Sequence, residues 1–149
     1  MPSRDTHRPN IVVILTDDQG PWALGCAGND ELKTPTLDAL AASGIRFENW
    51  FCTSPVCSPA RASLLTGKLP SQHGVQDWIR GGNALRDMAE SRGLIQYLDH
   101  VQGYTDVLAA QGWSCGISGK WHLGDSHHPQ KAFGFWKVHA SGGGSYMNP

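Results

Sequence analysis

A thiol, Cys57, and a guanidinium, Arg61, lie four residues apart in this 149-residue chain. We predict a helix with Ser58 as its cap and Pro59 in its first turn, which continues through Ala60 to Leu65 and ends at Thr66-Gly67. Cys57 would then precede the helix, where unpaired backbone N–H groups and the positive end of the helix dipole favour an anion. Arg61 would lie on the same face. The spacing therefore predicts a site for a tetrahedral oxyanion.

Two adjacent carboxylates, Asp17 and Asp18, follow the unbroken apolar run Ile11–Leu15. The run predicts a central parallel strand that is covered on both faces, and open α/β sheets bind ligands beyond the carboxyl ends of their strands. Two carboxylates in one tight turn repel each other and offer hard oxygen ligands for Ca²⁺ or Mg²⁺. Taken alone, the pair could equally be an Asx turn that ends the strand.

A lysine and a histidine, Lys120 and His122, lie in a glycine-bounded segment after a predicted short strand that begins at Trp113. If the backbone stays extended from Gly119 to His122, the two side chains point the same way and Trp121 points to the other side. The segment would then present two cationic groups together. Without other motifs, such a pair would more often be a solvated lysine and a histidine at the edge of the core.

These three segments resemble the sulfatase family. Its signature Cys-x-Pro-x-Arg with a later Leu-Thr-Gly occurs over residues 57–67, its Gly-Lys-Trp-His-Leu-Gly pattern over residues 119–124, and its Asp-Asp pair at residues 17–18. The resemblance implies an α/β fold of the alkaline-phosphatase-like superfamily, with a mainly parallel sheet flanked by helices. It covers the N-terminal part of a catalytic domain, so we expect residues 1–149 to form that portion of an incomplete domain.

The resemblance also implies how the nucleophile and the metal are supplied. A formylglycine-generating enzyme would oxidise Cys57 to formylglycine, and the hydrated aldehyde would attack the sulfur of a sulfate monoester. Asp17, Asp18 and the modified Cys57 would hold Ca²⁺ or Mg²⁺. Three such ligands fall short of the ~6 to 8 oxygens that Ca²⁺ takes, so we expect weak metal binding.

The remaining roles implied by the resemblance belong to cationic side chains. Arg61 would orient the nucleophile, while Lys120 and His122 would bind the substrate oxygens, with His122 as the proton donor. The implied function is that of a sulfuric ester hydrolase of the arylsulfatase type, acting on a small anionic aryl or sugar sulfate. Positioning and charge stabilisation, rather than strong acids or bases, would supply most of the catalysis.

Two other functions remain open. A related phosphomonoester or phosphonate monoester hydrolase could use the same residues, because formylglycine and a metal can serve either tetrahedral anion. The chain could instead be a truncated, non-catalytic fragment that needs a second chain, since further metal ligands of the family are expected downstream. Asp125, His127 and His128 provide no substitute for those ligands, because they follow Gly124 in a Pro-containing loop and are predicted to be solvated.

The rest of the sequence predicts alternating strands and helices. We expect strands over Ile11–Thr16 and Ile45–Phe51, and helices over Pro35–Ser43, Gly93–His100 and Tyr104–Gln111. The 18 glycines and 9 prolines are spread between these elements, which favours one domain with long loops. His73 precedes Gly74 where the family often has a His-Gly, and we expect it to be structural.

Composition excludes several classes of protein. A net charge of −1 gives no basic footprint for nucleic acid, and no run approaches the ~18 apolar residues of a membrane span. Residues 1–9 are polar and lack the apolar region of a secretory signal, so the chain as written is expected to be cytoplasmic, or periplasmic or secreted if the true start lies upstream. Cys26, Cys52 and Cys115 have no zinc-ligand spacing and are expected to be reduced.

Overall fold

The computed structural model describes residues 8–79, 94–139 and 142–143. The chain divides into two compact units, Met1–Asn49 and Trp50–Pro149. The first unit contains a short 3-10 turn, Gly25–Ala27, and helix α1, Pro35–Ser43. The second contains helices α2 (Cys57–Thr66), α3 (Pro70–His73) and α4 (Tyr104–Ala110) and strands β1 (Cys115–Gly119) and β2 (Phe133–Val138).

Helix α1 has the bounds that the sequence predicts. Pro35 stands in its first turn and Gly44 follows its last residue, as expected from the fixed φ of proline and the freedom of glycine. The hydroxyl of Thr34 does not cap the helix; it donates to Asp38 Oδ1 at 2.9 Å and accepts from Gly25 N at 2.8 Å. Thr34 and Asp38 thereby tie the helix to the preceding turn.

The two strands predicted before α2 do not form within the described residues. The side chains of Ile11–Leu15 are 50% to 81% exposed, and Ile45–Phe51 likewise has no assigned strand. A strand forms only where the backbone of a neighbouring segment accepts its N–H groups and donates to its carbonyls, and no strand pairing of this kind is assigned to either segment among the described residues. The apolar pattern was therefore a wrong guide to secondary structure at these two places.

Strands β1 and β2 form a parallel pair, with Cys115 opposite Phe133 and Gly119 opposite Val138. This confirms the strand expected in the segment after Trp113. Parallel strands cannot be joined by a tight hairpin, so the chain makes a crossover between the end of β1 and the start of β2. The segment implied to bind substrate lies at the beginning of this crossover.

The buried core lies in the second unit. It joins α2, the residues after α3, the crossover and β2, and consists of Ala62, Leu65, Val75, Ile79, Leu98, Trp121, Leu123 and Phe133. The indole of Trp121 packs edge-on against Phe133 and Trp136, with ring centroids 6.3 and 4.9 Å apart. Such aromatic pairs add about 1 kcal/mol each beyond the burial of area. They hold the crossover against β2.

Helix α4 confirms the prediction over Tyr104–Gln111, with Gln111 as its C-cap. Asp106 accepts a hydrogen bond from Gly103 N at 2.8 Å and pairs with the buried ammonium of Lys131 at 3.3 Å. These contacts fasten the helix to the residues that precede β2.

The helix predicted over Gly93–His100 is absent from its described residues, Leu94–His100, which form a bridge and turns; Gly93 lies outside the described residues. Gln96 pairs with Gly124 as an isolated antiparallel bridge, and Asp125 N donates to Ile95 O at 2.9 Å. Pairing with the crossover has overridden the local helical preference. Among the helices that the structure describes, none has the length and apolar character needed to cross a membrane.

Candidate active site at the start of helix α2

Cys57 is the first residue of α2, and Val56 is the N-cap, with no side chain capping the helix. The prediction that Ser58 caps this helix is wrong. Ser58 is fully buried, and its Oγ atom accepts a hydrogen bond from Ile79 N at 3.1 Å, which removes it from a capping role. Cys57 still lies in the first turn, where the helix dipole favours negative charge.

Lys120 brings an ammonium to this position. Its Nζ atom lies 3.3 Å from Cys57 Sγ, and both residues are partly buried. Lys120 is also the first residue after β1. The residue that follows β1 therefore places its ammonium beside the first residue of α2.

Arg61 connects the same two segments through the backbone. Its Nη1 atom donates to the carbonyl oxygen of Lys120 at 2.8 Å. Because a guanidinium holds its donors in a fixed planar fork, this bond restricts the backbone that carries Lys120. Arg61 lies one turn along α2 from Cys57, as the sequence predicts.

His122 is buried, with 2% of its surface exposed. Its Nε2 atom lies 2.9 Å from the carbonyl oxygen of Ile79, and a carbonyl only accepts, so Nε2 carries the proton. The imidazole packs edge-to-face with Trp78, with ring centroids 5.7 Å apart and planes at 85°. A Cβ at Gly142 would collide with the imidazole, so a side chain there would require the ring to shift.

The backbone of this segment is not extended as the sequence argument supposed. Strand β1 ends at Gly119, and His122 has a left-handed φ of 56°. Lys120 and His122 therefore do not approach α2 by strand alternation. Lys120 reaches Cys57 directly, whereas His122 binds Ile79, whose N–H binds the residue next to Cys57.

Asp17 and Asp18 lie in the first unit, in a bend, and both are exposed. Asp18 has a φ of 54°, a left-handed conformation that aspartate tolerates better than most residues. Adjacent, solvent-accessible carboxylates supply the hard oxygen donors that Ca²⁺ and Mg²⁺ prefer, so the donor set fits the predicted ion. Cys57, the third predicted ligand, lies in the second unit, and the metal site stays a prediction.

Asp125 was expected to be solvated, and this expectation is wrong. Its side chain is 3% exposed, and it accepts hydrogen bonds from the backbone of His127 at 2.9 Å, from Nδ1 of His128 at 2.7 Å and from Gln96 at 3.3 Å. Burial raises the pKa of Asp125, but the hydrogen bonds outweigh it and hold the pKa below its ordinary value.

The imidazoles beside Asp125 are exposed, as predicted for His127 and His128. Asp125 accepts from the N–H groups two and three residues ahead, which is the pattern of an Asx turn. That local signal could have identified Asp125 as the organiser of the crossover. The prediction of a solvated Asp125 rests instead on the proline in this loop.

His73 agrees with its expected structural role. It is fully buried; Nδ1 accepts from Val75 N at 3.1 Å, and Nε2 therefore donates to Ser63 Oγ at 3.0 Å. Burial lowers the pKa of His73 from its ordinary value of 6.5, and a hydrogen bond with its own backbone partly opposes this shift. A neutral His73 thus fastens the end of α3 to α2.

A family model described as Sulfatase matches residues 9–147. Steryl-sulfatase from Homo sapiens is 37% identical over 137 residues, which are 92% of this chain and 23% of that protein. Arylsulfatase A from Homo sapiens is 40% identical over 130 residues, which are 84% of this chain and 22% of that protein.

The solved structure of BT4656 in complex with its substrate, D-glucosamine-2-N,6-O-disulfate, is also similar. It has a TM-score of 0.63 and 30% identity over 85% of this chain and 22% of that chain. The chain thus spans less than a quarter of the length of these relatives. The likeness confirms the predicted α/β, alkaline-phosphatase-like fold class.

Proposed function

Because the chain belongs to the sulfatase family, we propose that it carries the nucleophile-bearing part of an enzyme that hydrolyses sulfate monoesters. The contact between Lys120 Nζ and Cys57 Sγ at the first turn of α2 carries this proposal. An ammonium and a helix N-terminus at one position favour a bound sulfate group and the negative charge on its oxygens.

We propose that a formylglycine-generating enzyme converts Cys57 to formylglycine, whose hydrate supplies the attacking hydroxyl. Lys120 would then donate to an oxygen at position 57 or to the sulfate held there. Arg61 would keep Lys120 in place through its bond to the lysine carbonyl oxygen, and its charge would offset that of the nucleophile. These roles require positioned charge and no strong base.

His122 would pass a proton to the departing alcohol. The carbonyl oxygen of Ile79 accepts from Nε2–H, so the transferred proton would leave from Nδ1, and His122 would act as an imidazolium that carries a proton on each ring nitrogen. The hydrogen bond to Ile79 orients the ring, which sets the direction of that transfer. Ordering the imidazole before substrate arrives avoids reorganisation during the reaction.

Asp17 and Asp18 would hold a divalent cation together with the oxygen atoms at position 57. A bound Ca²⁺ or Mg²⁺ would neutralise charge on the sulfate oxygens and favour ionisation of a ligated hydroxyl. The two carboxylates contribute negative charge and oxygen donors on one exposed bend. The rest of the coordination would come from water and from groups outside this pair.

The names of the relatives point to ring-bearing sulfate esters. Two are a steryl-sulfatase and an arylsulfatase, and the solved neighbour binds a disulfated glucosamine. We therefore propose a small anionic aryl or sugar sulfate as substrate.

The deciding experiment combines maturation with turnover. The chain is co-expressed with a formylglycine-generating enzyme, its intact mass and peptide map are recorded, and a chromogenic aryl sulfate and the matching aryl phosphate are offered with Ca²⁺ or Mg²⁺. We expect the thiol-to-aldehyde mass loss at Cys57, turnover of the sulfate, and loss of both in Cys57→Ala. Cys52→Ala, which changes an exposed cysteine, should retain both.

Three results would change the proposal. Faster turnover of the phosphate would favour a phosphomonoester hydrolase, because the clustered cations stabilise a phosphate dianion more strongly than a sulfate monoanion. Conversion without turnover of either ester would contradict hydrolysis by this chain. An unmodified Cys57 in the presence of the maturation enzyme would contradict the formylglycine step.

A further inference from the structure

We infer that Trp78 is a specificity-determining residue that stacks on the ring of a cyclic alcohol whose sulfate ester is bound at Cys57. This inference rests on the proposed function and narrows its substrate class to esters whose sulfate is attached to, or next to, an aryl or pyranose ring. The observation behind it is the position of a half-exposed indole beside the proposed proton donor.

Trp78 contacts the site through His122. The two rings meet nearly at right angles, with centroids 5.7 Å apart. His122 is buried, whereas Trp78 is 50% exposed. The indole therefore covers one side of the imidazole and presents the rest of its surface to solvent.

The backbone next to Trp78 is hydrogen-bonded to the residue that follows the nucleophile. Ile79 donates to Ser58 Oγ at 3.1 Å and accepts from His122 Nε2 at 2.9 Å, and Ser58 follows Cys57 directly. Trp78 N also bonds to Asp77 Oδ1 at 2.7 Å. Both backbone polar groups of Ile79 are therefore bonded to the site, which keeps the backbone at Trp78 next to it.

The flat apolar face of an indole favours ligands that contain a ring. It offers a rigid apolar face that contacts other rings with little loss of conformational freedom, and ring faces of aryl groups and pyranoses are partly or wholly apolar. Because His122 is the proposed donor to the leaving oxygen, the alcohol portion of a sulfate held at Cys57 would lie toward His122. The alcohol then lies beside Trp78. An open-chain alkyl sulfate has no ring face to contact it.

Exposure alone does not distinguish this tryptophan. Trp22 and Trp50 are more exposed, at 71% and 75%. Trp78 differs because it contacts His122. Trp22 therefore provides a matched control, as an exposed indole in the other unit of the chain.

The kinetic test compares Trp78→Ala, Trp78→Phe and Trp22→Ala in the matured chain, using para-nitrophenyl sulfate, a glucosamine sulfate and n-hexyl sulfate. We expect Trp78→Ala to lower kcat/KM by about tenfold for ring substrates, equivalent to about 1.4 kcal/mol, and by less than twofold for the alkyl ester. Trp78→Phe should retain most of the preference for ring substrates over the alkyl ester, and Trp22→Ala should retain all of it. An equal loss on ring and alkyl esters overturns the inference.

A binding test separates this inference from the proposed function, because it needs no turnover. The indole N–H resonances are followed by NMR in the unconverted chain during titration with para-nitrophenyl sulfate, and then with a glucosamine sulfate. The resonance assigned to Trp78 by substitution should shift with either ligand, while that of Trp22 stays. Absence of a Trp78 shift at ligand saturation overturns the inference, and a shift without hydrolysis sustains it while the proposed function fails.

Discussion

The Nζ atom of Lys120 lies 3.3 Å from the Sγ atom of Cys57, although the two residues are 63 positions apart in the sequence. Arg61 reinforces this contact, because its guanidinium binds the carbonyl oxygen of Lys120 from the same helix that Cys57 begins. The helix thus supplies both the nucleophile position and the group that orients the neighbouring lysine.

The first prediction concerns that lysine. In the formylglycine-containing chain, Lys120→Ala should lower kcat for an aryl sulfate by about 10²-fold or more, because a preorganised cation is lost where charge accumulates. Lys120→Arg should recover part of the rate, since it keeps the charge but changes its geometry. Lys68→Ala, at an exposed position in the same unit, serves as the control. A Lys120→Ala rate within twofold of the parent would contradict the role.

The second prediction concerns the metal. Ca²⁺ should raise the thermal unfolding midpoint of the chain with an apparent Kd on the order of 10⁻⁴ to 10⁻³ M, because Asp17 and Asp18 are few ligands on an exposed bend. Chelation should reverse the effect, and Asp17→Asn should abolish it. Titration calorimetry with Asp30→Asn, another exposed carboxylate of the first unit, provides the control. Equal losses in the two variants would reject a specific site.

The third prediction concerns Gly124, which closes the Gly-Lys-Trp-His-Leu-Gly segment. Its φ is 93°, and a Cβ there would lie 2.0 Å from Ile95 O. Gly124→Ala should lower the free energy of unfolding by about 3 kcal/mol or more, because strain and a backbone clash add.

Gly74→Ala separates the two causes of that loss. Gly74 has a similar φ of 81° but nothing within 4 Å of the added carbon, so it should lose only about 1 kcal/mol. Denaturant unfolding of both variants measures the difference. If they lose equal stability, the contact with Ile95 is not the cause.

The fourth prediction is a pH dependence caused by His73. Its folded pKa is lower than the unfolded value of 6.5, so the unfolded chain binds more protons at mildly acid pH. The stabilisation is present above about pH 6.5 and declines as the pH falls from there through the folded pKa.

His73→Gln should flatten this part of the profile, because the variant has no imidazole to protonate. His100→Gln should leave it unchanged, since His100 is exposed. Unfolding in denaturant at a series of pH values gives both slopes. A steep decline that persists in His73→Gln would assign the effect to another group.

The sequence predicted the elements that local signals define. Proline and glycine mark α1 from Pro35 to Gly44, and the same kinds of signals located α4 and the end of α2. The predictions that failed depend on which segments pair with each other and not on the local preferences of their residues. Ile11–Leu15 has strong strand character, but a strand also needs a neighbour that the sequence cannot show.

The candidate site was predictable in its residues and less so in its geometry. The pairing of Cys57 with Lys120 depends on the parallel sheet and its crossover, which bring distant segments together. His122 adopts a left-handed backbone that strand periodicity cannot anticipate. Asp125 was missed because its neighbours suggested a solvated loop, although its buried carboxylate organises that loop.

The bonds at Ile79 have a consequence for protein engineering. They involve the peptide N–H and carbonyl of that residue, which every amino acid other than proline provides. Side chains at position 78 can therefore be varied in a library while the hydrogen bonds that orient Ser58 and His122 remain available. Substrate preference could thus be changed at one codon while these hydrogen bonds stay in place.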